Sequence, residues 1–304
     1  MSDPKRLLGR QTERAALDSA AADALSGGGG LVLLTGEAGV GKTRLAESFL
    51  AEGELAPLRS RAQTEGPRAY GLLRPILVEA YGRLDPEDHD ELSLLPHLAL
   101  LDPSMGDPHR AHAELIPDAA GQLLRHLASR GMLCVFLDEL NAADNASLEA
   151  LRRMILDGEG EALVFLATCG NDELARDHPL RRLRHELAQY DRIREIDLAP
   201  LDAEHAAELL THSLGALPSP ELVDLLLERC QGVPLYLEEF ARSLRDSSRL
   251  RQSEEGLELG EDAERLLPAT LRDAVLLQLD QIPPPARELA EAAAVLGTEC
   301  ELPL

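Results

Sequence analysis

Short apolar runs alternate with longer segments of helical period along the first 199 residues. Continuous apolar runs, typical of strands buried on both faces of a parallel sheet, occur at residues 31–34, 133–137 and 162–167. Two further strands are predicted at residues 55–62 and, by alternation typical of a sheet edge, at residues 192–198. Helical patterns separate them at residues 12–25, 42–52, 111–130, 145–156 and 178–190. The pattern predicts an α/β fold, a three-layer sandwich around a five-stranded parallel sheet.

The apolar positions follow a helical period throughout from residue 202. Helices are predicted at residues 202–214, 220–231 and 234–244. The polar stretch 246–264 indicates a linker or an exposed hairpin, and two more helices are predicted at residues 268–280 and 284–297. These changes predict three domains at residues 1–199, 200–247 and 248–304, with the third cut short.

The region from residue 63 to residue 110 shows no clear period. Its acidic run at residues 85–91 is interpreted as a solvated loop and not as a metal site, because nothing in the sequence holds these carboxylates convergent. His109 and His112 lack a third ligand nearby and are interpreted as surface histidines.

The first apolar run leads directly into the pattern G-x-x-x-x-G-K-T at residues 36–43. Glycines at positions 36, 39 and 41 let backbone N–H groups wrap a triphosphate without a clashing Cβ atom. Lys42 would reach the β- and γ-phosphates, and the Thr43 hydroxyl would hold Mg²⁺. A glycine-rich turn that precedes a helix by chance explains less of the pattern. The stretch is therefore interpreted as a phosphate-binding P-loop.

Asp138 and Glu139 follow the second apolar run. Ligands of open α/β sheets lie beyond the carboxyl ends of the strands, so both acids are expected beside the phosphates. Asp138 would hold the Mg²⁺ shell, and Glu139 would be the base that polarises an attacking water. Two solvated acids at a strand end explain the pair equally well in isolation, but not downstream of a P-loop.

The third apolar run ends at Thr168, where polar groups are expected to flank the γ-phosphate. Cys169 is interpreted as a buried inert thiol, the alternative being a reactive one. The arginines of the helix at residues 178–190 form a solvated face or bring one guanidinium towards phosphate. They are Arg181, Arg182 and Arg184.

The formal net charge of -24 argues against nucleic-acid binding by this chain, because clustered cations supply most non-specific affinity for phosphate backbones. The four cysteines are widely spaced, which suggests neither a zinc site nor a disulfide framework. The first residues lack an apolar leader core, and no run of about 18 apolar residues occurs, so a cytoplasmic protein without membrane partners is expected.

Five segments carry a family resemblance, at residues 8–13, 35–43, 136–140, 198–201 and 232–239. In this order they resemble the signal-transduction ATPases with numerous domains, the STAND relatives of AAA+ ATPases. Within that group they look most like the N-terminal ATPase of the large ATP-binding regulators of the LuxR family. The resemblance covers nearly the whole chain, although only the P-loop is highly specific alone.

The resemblance implies a P-loop NTPase fold followed by an all-α lid and, from residue 267, the start of a winged-helix domain. It places Arg10 near the base or ribose and Pro234 on the adenine side, with ATP or ADP and Mg²⁺ as ligands. The expected nucleotide-binding residues are Arg10, Gly36, Glu37, Ala38, Gly39, Val40, Gly41, Lys42, Thr43, Arg44, Asp138, Thr168 and Pro234. Lys42 and Glu139 are the expected catalytic residues, and Thr43 and Asp138 the expected metal ligands.

Two departures from the family are visible. Asn-Ala-Ala-Asp at residues 141–144 stands where the family has His-Trp-Ala-Asp, and Gly170 stands where relatives commonly place an arginine that senses the γ-phosphate. We therefore expect a slowly hydrolysing ATP switch of a LuxR-family activator, a homo-oligomer in the ATP state that reaches DNA only through a C-terminal domain absent from this chain. The alternatives are a nucleotide-locked scaffold without turnover, and the ATPase module of a cyclase- or kinase-linked signalling protein.

Overall fold

A computed structural model describes residues 8–53, 56–63, 68–158, 160–170, 178–246, 249–253 and 256–260. These residues fall into two units, one ending at Ala199 and the other beginning at Pro200. The predicted winged-helix start lies outside the described residues.

The first unit contains a five-stranded sheet of order β2-β3-β4-β1-β5, and every neighbouring pair is parallel. Its strands are β1 (Leu31–Gly36), β2 (Leu58–Arg61), β3 (Leu133–Asp138), β4 (Leu163–Thr168) and β5 (Ile193–Leu198). The three central strands are buried at every position, which explains their uninterrupted apolar sequences. β5 pairs with β1 alone and lies at an edge, as its alternating sequence predicted.

Helices cover both faces of this sheet. They are α1 (Gln11–Leu25), α2 (Lys42–Glu52), α3 (Leu73–Tyr81), α4 (Asp88–Glu91), α5 (Ile116–Ala128), α6 (Asn145–Asp157) and α7 (Pro179–Gln189). α1 and α2 pack on one face, against alternate residues such as Leu34 of β1 and Phe136 of β3. α3, α5, α6 and α7 pack on the other, against residues such as Leu33 and Phe165. The predicted α/β sandwich with a five-stranded parallel sheet is confirmed.

The irregular region between residues 63 and 110 contains a helix that the sequence analysis missed. α3 buries Leu73, Ile76 and Leu77 completely. Pro75 obscured the pattern, but it lies in the first turn, where its missing N–H is not needed. Short 3-10 turns then lead to α5, so the helix predicted at residues 111–130 begins only at Ile116.

The acidic run at residues 85–91 is not wholly solvated, so the predicted solvated loop is wrong at Asp88. Asp88 is 5% exposed and accepts hydrogen bonds from the backbone N–H of Asp85 and from Arg130, and its Oδ1 lies 3.0 Å from His126 Nε2. A buried carboxylate needs such partners because desolvation would otherwise disfavour its charge. This acid therefore anchors the loop to the end of α5. His109 and His112 are exposed, as expected.

The second unit begins with three helices, α8 (Ala203–Leu214), α9 (Pro220–Cys230) and α10 (Pro234–Asp246). Side chains cap the first two, since Asp202 accepts from the His205 N–H and Ser219 accepts from the Leu222 N–H. The antiparallel strands β6 (Leu250–Gln252) and β7 (Leu257–Leu259) follow, where a linker or hairpin was predicted.

Three cysteines of the described residues, Cys134, Cys169 and Cys230, are buried free thiols, as predicted. Burial raises the pKa of Cys134 and of Cys230 to about 12, so both stay protonated near neutral pH.

Candidate nucleotide-binding site

The glycines of the predicted P-loop are required for two different reasons. Gly41 has φ 101°, a left-handed conformation that side chains rarely adopt, although nothing lies near its missing Cβ. Gly36 has φ 143°, and a Cβ there would lie 2.7 Å from the Leu198 carbonyl oxygen. Backbone conformation therefore requires glycine at position 41, and close packing requires it at position 36, in the loop between β1 and α2.

Lys42 lies at the first position of α2 with its ammonium group turned back over the loop. Its Nζ donates to the carbonyl oxygens of Gly36 and Glu37, each at 2.8 Å. No carboxylate occurs in the first turn of α2, and Gly41 provides no side-chain cap. The first N–H groups of a helix carry partial positive charge, so this loop and helix end form an environment suited to an anion.

The acidic pair lies beside this loop. The Thr43 hydroxyl donates to Asp138 Oδ1 at 3.0 Å, and the same oxygen accepts from the Thr168 hydroxyl at 2.6 Å. Asp138 is 9% exposed. A hydroxyl and a carboxylate in contact form an oxygen-only donor set at the loop, which fits the chemistry that Mg²⁺ requires. The two predicted metal ligands, separated by 95 residues, are thus adjacent.

Glu139 has a backbone conformation that is unusual for a side chain of its size, with φ 57°. Its backbone N–H donates to Thr168 Oγ1 at 2.9 Å, so the Thr168 hydroxyl joins both acids to the end of β4. Its carboxylate is paired with Arg61, with Nη2–Oε1 at 2.6 Å and Nε–Oε2 at 3.1 Å.

Arg61 was missed by the sequence analysis. It ends β2, and the parallel register places it opposite Asp138 of β3. The only indication in the sequence was an arginine at the carboxyl end of a predicted strand. This arginine reaches Glu139 only because β2 lies beside β3 in the sheet. The expected base is therefore held by a cation in this structure.

The end of β4 carries no cation at Gly170, whose N–H donates to Asn141 Oδ1 at 3.2 Å. Arg182 and Arg184 of α7 form ion pairs with Glu186 at 2.7 Å and Glu195 at 2.6 Å. Both pairs fit the predicted solvated face.

Residues 6–167, more than half of the 304-residue chain, match the AAA ATPase domain. The chain belongs to this family. A comparison with curated protein sequences finds no match.

Two solved structures resemble this AAA ATPase domain protein. One is a Signal Transduction ATPase with Numerous Domains (STAND) protein with a tetratricopeptide repeat sensor from Pyrococcus horikoshii, at 16% identity and a TM-score of 0.50. That match covers 77% of this chain and only 30% of the STAND protein. The other is a Walker-type ATPase of Pyrococcus abyssi, at 17% identity and a TM-score of 0.54, over 96% of this chain and 78% of that one. At these identities the likeness shows the fold alone.

The remaining predicted nucleotide contacts of the AAA ATPase domain protein occupy different places. Ala38 and Val40 belong to the loop, with Val40 fully buried, and Arg44 lies in the first turn of α2. Arg10 is buried beneath the loop. Pro234 begins α10 in the second unit, where the preceding turn is closed by the Leu201 N–H donating to the Gly232 carbonyl oxygen at 2.8 Å. Its contact with adenine stays a prediction.

Among the described residues, no group of histidine, cysteine and acidic side chains forms a further metal cluster. None of the helices in this described part of the chain is long and apolar enough to cross a membrane.

Proposed function

We propose that this chain is the ATP-binding, slowly hydrolysing switch domain of a LuxR-family transcriptional activator. Membership of the AAA ATPase domain family supports nucleotide binding. The main structural support for the site is the hydrogen bond between Thr43 and Asp138, because it brings the P-loop into contact with the acidic end of β3. The LuxR assignment rests on the five sequence segments, and nucleotide state would control self-assembly.

In this proposal residues 1–199 bind nucleotide, residues 200–247 form the lid, and residues 248–304 form a linker and a winged-helix-like module. The backbone N–H groups of residues 36–44 and the Lys42 ammonium bind phosphate oxygens, with Lys42 exchanging its loop carbonyls for them. Thr43 and Asp138 would hold Mg²⁺, which supplies charge neutralisation when bound.

Glu139 would accept the proton of the attacking water. A base paired with a guanidinium is less available for this task, since the Arg61 donors occupy both of its carboxylate oxygens. Hydrolysis therefore requires the Arg61–Glu139 pair to open. Together with the missing cation at Gly170, this pairing supports slow turnover.

A nucleotide-locked scaffold is the second candidate, and the same two features favour it. The scaffold would bind ADP or ATP without useful hydrolysis. Nucleotide that copurifies with the protein, with no phosphate release over hours, would support the scaffold over the slow ATPase.

The test of the ATPase proposal uses two variants. Lys42→Ala should abolish ATP binding measured by calorimetry, because Lys42 is the only lysine that the sequence places to compensate phosphate charge. Glu139→Gln should keep ATP binding and lose hydrolysis by roughly 10²- to 10⁴-fold. Glu149→Gln on α6, where the exposed acid pairs with Arg152, is the matched control and should change neither ATP binding nor hydrolysis. Wild-type hydrolysis by Glu139→Gln would contradict the catalytic assignment.

A further inference from the structure

Arg10 is a buried cation beneath the P-loop, with 6% of its surface exposed. Its Nη1 donates to Glu13 Oε1 at 2.8 Å, and its Nη2 donates to the carbonyl oxygens of Val40 at 3.1 Å and Ala199 at 2.7 Å. Burying a guanidinium is costly unless its donors are satisfied, and three acceptors meet that need. The planar fork is also suited to bridging groups at fixed angles.

The two carbonyls belong to segments that are far apart in the chain. Val40 lies inside the P-loop between Gly39, with φ 80°, and Gly41. Ala199 follows the last strand of the sheet, and Pro200 begins the second unit. The guanidinium thus ties the far side of the loop to the end of β5.

The near side of the loop rests on the same strand end by other means. The Thr35 hydroxyl donates to Asp197 Oδ1 at 2.8 Å, and Gly36 pairs with Leu198 so closely that a Cβ would lie 2.7 Å from its carbonyl oxygen. Both sides of the phosphate loop are therefore fixed to residues 197–199. Arg10 is the only side chain among these contacts that acts on the far side.

The peptide geometry shows what this bond to Val40 does. The Val40 carbonyl and the Gly41 N–H belong to one planar trans peptide and point in opposite directions. A hydrogen bond that fixes the carbonyl direction therefore also fixes the direction of the Gly41 donor, which belongs to the loop that would wrap phosphate.

We infer that Arg10 is a positioning residue for phosphate binding, which aims the Gly41 N–H by holding the Val40 carbonyl and has no nucleotide contact of its own. The inference rests on the proposed nucleotide binding. It differs from a contact with base or ribose, which the family resemblance implies, in one measurable respect. A base contact contributes to ATP affinity only, whereas loop positioning contributes equally to any polyphosphate.

The experiment measures binding of Mg-ATP and of inorganic tripolyphosphate to the full chain by calorimetry. Arg10→Gln should lower both affinities by the same factor, about tenfold or more, since it removes hydrogen bonds from a charged donor. Arg10→Lys keeps the charge but lacks the fork, and it should show a smaller loss that is again equal for the two ligands. It also replaces Arg10→Gln if that variant does not fold.

Arg14→Gln is the matched control. Arg14 lies one turn further along α1, pairs with Glu52 at 2.6 Å and covers the Phe49 ring, so its loss should leave both affinities unchanged. A loss confined to ATP would show that Arg10 contacts base or ribose and would overturn the inference. Equal affinities of Arg10→Gln and wild type would overturn it as well.

A second readout needs no ligand. Hydrogen exchange of peptides covering residues 36–45 should be faster in Arg10→Gln than in wild type or Arg14→Gln, because the loop loses its tether to β5. Unchanged exchange would overturn the inference. A wild-type chain that binds neither ATP nor tripolyphosphate would instead refute the proposed function, and the exchange measurement would still decide the role of Arg10.

Discussion

The Thr168 hydroxyl connects the two acids of the site, and its removal should have a large effect on stability. Thr168 is 1% exposed, donates to Asp138 Oδ1 and accepts from the Glu139 N–H. Thr168→Val keeps the shape and removes both bonds. A hydrogen bond to a charged group contributes about 1.5–3 kcal/mol and a neutral one about 1 kcal/mol, so we expect a loss of about 2.5–4 kcal/mol in the free energy of unfolding.

Thr168→Ser is the matched control because it keeps the hydroxyl and removes only a methyl group, at a cost of about 1 kcal/mol. Urea unfolding of each ligand-free variant, followed by circular dichroism at pH 7, gives the midpoint and slope. With the slope unchanged, Thr168→Val should unfold at lower urea than Thr168→Ser, by the equivalent of about 1.5–3 kcal/mol.

The same substitution should also affect turnover, since the hydroxyl holds the Glu139 backbone in its left-handed conformation. We expect a kcat lowered about 10- to 100-fold in Thr168→Val, with the ATP affinity reduced much less. Equal urea midpoints for the Val and Ser variants, or an unchanged kcat, would refute the assigned role of this hydroxyl.

Three further predictions concern the sensor position, acid stability and DNA. Gly170→Arg should raise single-turnover hydrolysis, because a well-placed arginine is worth roughly 10³-fold or more in related enzymes, and unchanged rates would count against the sensor argument. Arg74, with help from the Ser104 N–H, lowers the pKa of Asp102 from 3.8 to about 2. The ionised Asp102 carboxylate therefore stabilises the fold above about pH 4, and this stabilisation is lost as the pH falls through about 2. Asp102→Asn should show a smaller drop in Tm between pH 5 and pH 2 than wild type. Parallel curves of Tm against pH for the two proteins would contradict this. The net charge of -24 predicts no mobility shift of duplex DNA at about 150 mM salt, and a shift would place DNA binding within this chain.

Local features of the sequence were sufficient to predict most of the fold. Strands β1, β3 and β4 are buried on both faces, so they had to be continuously apolar, and a continuous run is visible without any tertiary information. The glycines of the P-loop and the helix that follows it are likewise local, because backbone conformation and helix ends depend on near neighbours. α3 was missed for the converse reason, since one proline interrupts its pattern without ending the helix.

The pairings within the site were decided by tertiary structure alone. Arg61 and Glu139 are 78 residues apart, and Arg10 and Ala199 are 189 apart. The sequence shows that positions 10 and 61 are arginines, but it does not show which strands are neighbours in the sheet. Strand order is set by the packing of whole helices and strands, and the partners of a charged side chain follow from that order. The same reason explains Asp88, whose acidic neighbours predicted solvent although Arg130, two residues after the end of α5, pairs with its buried carboxylate.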